Sequence, residues 1–161
     1  MNDPMIEKYM EMFRQNWQPI AILYRLPETS DAGWKFRQIL QRSGIAVKEA
    51  EEDDLQQTVG YLAGIDGYEK TGATDGDRAA SVLAEKISDQ PFLLMCRFTP
   101  EMLDGLLADM KAAGIYIPHK AMMTGTNRDY TMGYLIQCVE EEHAAMAAQM
   151  KRAGGDRKEN Q

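Results

Sequence analysis

Apolar runs of strand length alternate with helical patterns along this chain. Met5, Ile6, Tyr9, Met10 and Phe13 form one stripe at helical spacing, which predicts an N-terminal helix over residues 1–16, with Pro4 in its first turn. Gln18 to Leu26 is an apolar strand. Trp34, Phe36, Ile39 and Leu40 mark a helix that Gly44 closes. A second strand starts at Ile45. A second helix follows over "DDLQQTVGYLAGI", with Asp53 or Asp54 as its N-cap. Then the order recurs. Gln90 to Phe98 is a strand, and Thr99 caps a helix with Pro100 at its first position and Gly114 at its end. "IYIPHKAMMT" holds a further strand, and a long helix begins near Thr131.

The recurrence extends to single residues. Gln18-Pro19 matches Gln90-Pro91, Arg25 matches Arg97, Gly33 matches Gly105, and Gly44-Ile45 matches Gly114-Ile115. Thr58-Val-Gly-Tyr-Leu62 matches Thr131-Met-Gly-Tyr-Leu135. An ordered set with two Q-P pairs and two T-x-G-Y-L runs reads as a duplicated βαβα unit. One α/β domain is expected over residues 1–152, with repeats at about 17–65 and 90–152. A linker at 66–89 would carry a short helix from Ala79 to Ile87, and a polar, disordered tail is expected at 153–161.

Strands that alternate with helices predict a mainly parallel four-stranded sheet with helices on its faces. A pseudo-twofold axis that sets the first strands of the two halves side by side gives the order 2-1-3-4. The centre of that sheet is expected to be a switch point, with a ligand crevice at the strand ends.

Composition narrows the functions. A net charge of -7 and a pI near 4.9 disfavour nucleic acid and anionic membrane surfaces as partners. No apolar run approaches the ~20 residues of a membrane span. The opening residues lack a basic and an apolar signal region, and two unpaired cysteines, Cys96 and Cys138, suit a reduced cytoplasmic setting.

Candidate chemistry is sparse. In Lys120-Ala-Met-Met-Thr124-Gly-Thr126-Asn127, Lys120, Thr124, Thr126 and Asn127 offer donors to an anion where a strand ends and a helix begins. The same residues also suit a capped turn, which Gly125 would permit. Arg25 and Arg97 hold matched positions at the carboxyl ends of two strands expected to be neighbours. They would converge on the switch-point crevice to bind a carboxylate or phosphate, or each would pair with a nearby acid such as Glu28 or Glu101. Glu140-x-x-His143 has the i, i+3 spacing of metal ligands in helix bundles but lacks a second copy, so a solvated helix face is expected and no metal or cofactor. Nucleophile, phosphate-loop and dinucleotide motifs are absent. Twelve methionines, among them Met5, Met10, Met12, Met146 and Met150, suit adaptable contacts with a protein partner or a second copy.

The stretch Lys120 to Asn127, followed by Tyr130-Thr131, Leu135 and the run Glu140 to His143, resembles a small bacterial domain-of-unknown-function family with a K-A-x-x-T-x-T-N motif, over about residues 90–146. Gly125 stands where the family often has Pro, and Tyr130 where it often has Trp. The resemblance implies no activity. The first half has Lys48-Glu-Ala-Glu-Glu52 in place of the motif, so any site built on it would belong to the second half alone. The leading expectation is a non-enzymatic binding module. A binder or sensor of a small anion comes next, and an enzyme of unrecognised type in the same crevice third.

Overall fold

The computed structural model describes residues 4–6, 18–71 and 82–159, with 154–159 as backbone alone. Residues 4–6 form a helical turn, and the rest of the expected N-terminal helix lies outside the described residues. Of the helix expected from Ala79, residues 82–85 are helical and 79–81 lie outside.

Four strands form one sheet: β1 (Ile20–Tyr24), β2 (Ala46–Ala50), β3 (Phe92–Cys96) and β4 (His119–Met122). Their order is β2-β1-β3-β4, as the two-half reading requires. The pairs β1–β2 and β3–β4 are parallel, and the central pair β1–β3 is antiparallel, with Ile20 opposite Cys96 and Tyr24 opposite Phe92.

Side chains alternate across the strands and fill two cores. On one face Ala21, Leu23, Leu93 and Met95 pack against α1 (Asp31–Arg42) and a second long helix, Pro100–Ala113, through Phe36, Leu40, Leu106 and Met110. On the other face Ile22, Phe92, Leu94 and Cys96 meet Leu55, Val59, Leu62, Met132 and Ile136. These come from the 3-10 turn Glu52–Gln56, from α2 (Val59–Leu62) and from a terminal helix, Met132–Glu159. In chain order the long helices after α2 are α3 (Pro100–Ala113) and α4 (Met132–Glu159). The backbone of α4 thus continues through the segment whose composition suggests a tail.

The caps follow the sequence. Ser30 accepts from the Gly33 amide at 3.0 Å, and Thr99 accepts from Met102 at 3.1 Å, with Pro100 next. Gly114 closes α3 at φ 71°, where a Cβ would be strained. The helix expected over "DDLQQTVGYLAGI" is broken in two at Gln57-Thr58. Asp54 accepts from the Glu51 amide at 2.9 Å and so tightens the 3-10 turn, and Thr58 caps α2 by accepting from Tyr61 at 3.2 Å.

The break frees backbone for a contact between the two T-x-G-Y-L runs. Thr58 and Thr131 form an isolated antiparallel bridge. The Val59 amide donates to Tyr130 O and the Met132 amide to Gln57 O, both at 2.9 Å. Thr131 caps α4 as Thr58 caps α2, by accepting from Tyr134 at 3.2 Å.

Candidate functional site

The antiparallel centre decides where the predicted site residues go. In an all-parallel sheet, Arg25 and Arg97 would leave the same end. Here β1 and β3 run oppositely, so the two arginines leave opposite ends of the sheet, and the shared switch-point crevice does not form. Both have positive φ, 59° and 62°, and no other described non-glycine residue does. Their guanidiniums are spent on the protein. Arg25 Nη1 donates to Ser88 O and pairs with Asp89 at 2.9 Å, rather than with Glu28. Arg97 Nη1 donates to Ala63 O at 3.3 Å and Gln18 O at 3.4 Å, rather than to Glu101.

The Thr-Gly-Thr-Asn loop leaves the sheet at the Arg97 end and is closed on itself. The Thr124 amide donates to Asn127 Oδ1 at 2.7 Å, the Asn127 amide donates to Thr124 Oγ1 at 3.0 Å, and Asn127 Nδ2 donates to Met122 O at 2.9 Å. Thr126 and Gly125 are exposed. Asp129, in the 3-10 turn Asn127–Asp129, accepts from the Tyr68 hydroxyl. Lys120 does not join this loop. Its Nζ donates to Ile117 O at 2.6 Å, and burial pushes its pKa down. These bonds make the capped turn and engage Thr124 and Asn127 within it.

The other end of the sheet gathers polar groups that the sequence did not single out together. Tyr24, Phe92 and His119 lie side by side there. The Glu140 carboxylate accepts from the Ser88 amide at 3.0 and 3.1 Å and from its hydroxyl at 2.5 Å. His119 Nδ1 is buried without a hydrogen-bond partner, 3.7 Å from Glu140. The His143 ring stands edge-on to His119 at 5.1 Å. Burial pushes the His119 pKa below its usual value, against the pull of Glu140. The expected solvated face for Glu140-x-x-His143 is therefore corrected: Glu140 turns inward to clamp Ser88, while His143 stays exposed. Ser88 is 52 residues away in sequence, and no local spacing announces it.

Burial pushes the Cys96 thiol up to about 12, which keeps it protonated. No three His, Cys, Asp or Glu side chains among the described residues are grouped to hold a metal ion. An open groove of about 610 Å³ runs beside β2, lined by Gln18, Arg37, Gln41, Gly44 and Glu49 and by none of the candidate ligand residues. There Arg37 donates to Gly33 O at 3.0 Å and faces Glu49 at 3.7 Å.

α4 is buried at its start and exposed over its outer half. Met132, Leu135 and Ile136 are buried, and Val139 is half-buried. From Glu141 to Ala153 every residue is exposed. Val139, His143, Met146, Met150 and Ala153 continue the buried stripe at alternating steps of four and three residues, so one face of the helix stays apolar beyond the body. Met146 is 56% exposed and Met150 73%. No described helix is long and apolar enough to cross a membrane.

Residues 91–146 match the model of a domain of unknown function (DUF3783). That stretch runs from the start of β3 to the middle of the projecting part of α4. No curated protein and no solved structure matches the chain.

Proposed function

We propose that this chain is a non-enzymatic binding module, bacterial and cytoplasmic, that presents the outer half of α4 to a protein partner. The observation that carries this reading is the inequality of two helices that begin alike. Both start at a T-x-G-Y-L run, yet α2 ends after 4 residues and α4 runs for 28. Packing on the sheet uses α4 only as far as His143, whose ring meets His119. Residues 144–153 are exposed and keep Met146 and Met150 in water. A helix lacking tertiary support is marginal in isolation, so contacts from a partner would stabilise this one. The matched residues and the mutual contact of Thr58 and Thr131 support descent of both halves from a duplicated βαβα unit. On that view α4 has outgrown its counterpart.

A photo-reactive phenylalanine derivative in place of Met150 tests the reading in cells that make the protein. A discrete cross-linked product is expected from this position, and none from the same group at Glu101 on α3. Absence of any product at Met150 would remove the reading.

A further inference from the structure

We infer that the polar end of the sheet is an acid-sensitive latch: a proton on His119 draws the Glu140 carboxylate from Ser88 to the imidazole, and so releases the Ser88–Asp89 segment from α4. The latch is independent of any partner of α4. It is incomplete at one atom. His119 is 9% exposed, and its Nδ1 is buried without a hydrogen bond. Buried polar atoms are nearly always paired, so an orphaned one marks a place where another state supplies the partner. Nδ1 stands 3.7 Å from Glu140 Oε1, within ion-pair range and beyond a hydrogen bond. When the neutral ring carries its proton on Nε2, Nδ1 is an acceptor that faces another acceptor. A proton on Nδ1 turns it into a charged donor facing a carboxylate, and such pairs close to about 2.7–2.9 Å.

Closing that gap falls to Glu140. His119 is held in β4, in the row it forms with Phe92 and Tyr24. The oxygen that faces it is the one that accepts from the Ser88 hydroxyl at 2.5 Å and shares the Ser88 amide at 3.1 Å. Drawn to His119, this oxygen leaves Ser88, which is then held to β1 by Arg25 and no longer to α4. The charges around His119 set the direction. From α4, Glu140 and His143 face it. From β4, Lys120 is its neighbour, and from β3 Phe92 brings no charge. Beyond Ser88, Arg25 and Asp89 pair with each other at 2.9 Å. Burial keeps the proton off most strongly, His143 and Lys120 add to that, and Glu140 opposes them. The latch therefore holds at neutral pH. Acid favours any arrangement in which the imidazolium is paired, and the exchange occurs below the ordinary imidazole value of about 6.5.

Nuclear magnetic resonance of the full chain from about pH 7.5 to about pH 5 reads both halves of the exchange, a span that brackets imidazole titration. The His119 ring protons report the proton, and the Ser88 amide reports the clamp. The Ser88 amide should shift and lose its protection from solvent exchange with the same midpoint as the His119 ring. His119→Gln cannot gain the charge and should keep Ser88 protected across the range. His143→Gln, at an exposed position, should leave the transition in place. A Ser88 amide that stays protected while His119 is protonated overturns the latch, and so does a His119 ring that stays neutral down to pH 5. Loss of protection that persists in His119→Gln, or vanishes in His143→Gln, assigns the response to another group and overturns it as well. If His119→Gln fails to fold, the two midpoints in the unaltered chain decide: different values overturn the latch.

Discussion

Two glycines at matched positions, Gly33 and Gly105, are held for different reasons. A Cβ at Gly33 would lie 2.0 Å from the Pro27 carbonyl oxygen, which is backbone and cannot swing aside. Around Gly105 nothing lies within 4 Å. Gly33→Ala is therefore expected to cost about 1–3 kcal/mol through local overpacking. Gly105→Ala, inside a helix, should gain about 0.5–1 kcal/mol. Denaturant melts of the two variants would move in opposite directions, and equal shifts would show the close approach at Gly33 to be unimportant. The two left-handed arginines give a second residue-level contrast. Arg97→Ala and Arg97→Gly lose the same contacts to Ala63 and Gln18, but only Ala keeps the strain of φ 62°. The Gly variant should be the more stable of the two by about 1 kcal/mol. Nothing in the sequence marks these arginines as left-handed, since an Arg after a strand has no local signature. Their matched positions were legible, but the contacts were not, because Ser88 is 63 residues from Arg25 and Ala63 is 34 from Arg97.

At the scale of elements, the polar end of the sheet ties four pieces together. β4 brings His119, α4 brings Glu140 and His143, and the segment before β3 brings Ser88 and Asp89, with Arg25 following β1. His119 has its pKa lowered in the fold by burial, while in the unfolded chain it returns to about 6.5. Above that value both states are neutral and the residue imposes no pH dependence. Below it the unfolded chain takes up a proton that the folded chain resists, so stability is lost as pH falls. Midpoints of unfolding should decline from pH 7 to pH 5, and His119→Phe should flatten that decline. An unchanged slope in the variant would assign the acid sensitivity to other groups.

Strand and helix types were legible here because the central strands β1 and β3 are buried on both faces and the long helices carry an apolar stripe and strong caps. The order 2-1-3-4 followed from the matched halves. The antiparallel direction of the central pair did not enter the sequence reading of the site. A pseudo-twofold axis perpendicular to a sheet reverses the strand beside it, and that reversal separates Arg25 from Arg97. The Thr-Gly-Thr-Asn stretch was legible as a turn, since Thr and Asn close such loops on themselves, as Thr124 and Asn127 do.

For the whole molecule, the sharpest division is between the part of α4 that folds the chain and the part that leaves it. Met132 is fully buried in the core between α4 and the sheet, and Met132→Ala should cost about 2–5 kcal/mol. A chain shortened to end at Ala145 discards Met146, Met150 and the basic turns while keeping Glu140 on Ser88 and His143 beside His119. At low micromolar concentration its melting temperature should lie within about 2 °C of the full chain, because surface groups with no packing contribute little. Loss of the cooperative melt at low concentration would instead place the outer turns of α4 within the folding unit. The inequality between α2 and α4 would then reflect what the fold needs, and the case for a surface built to be shared would fall with it.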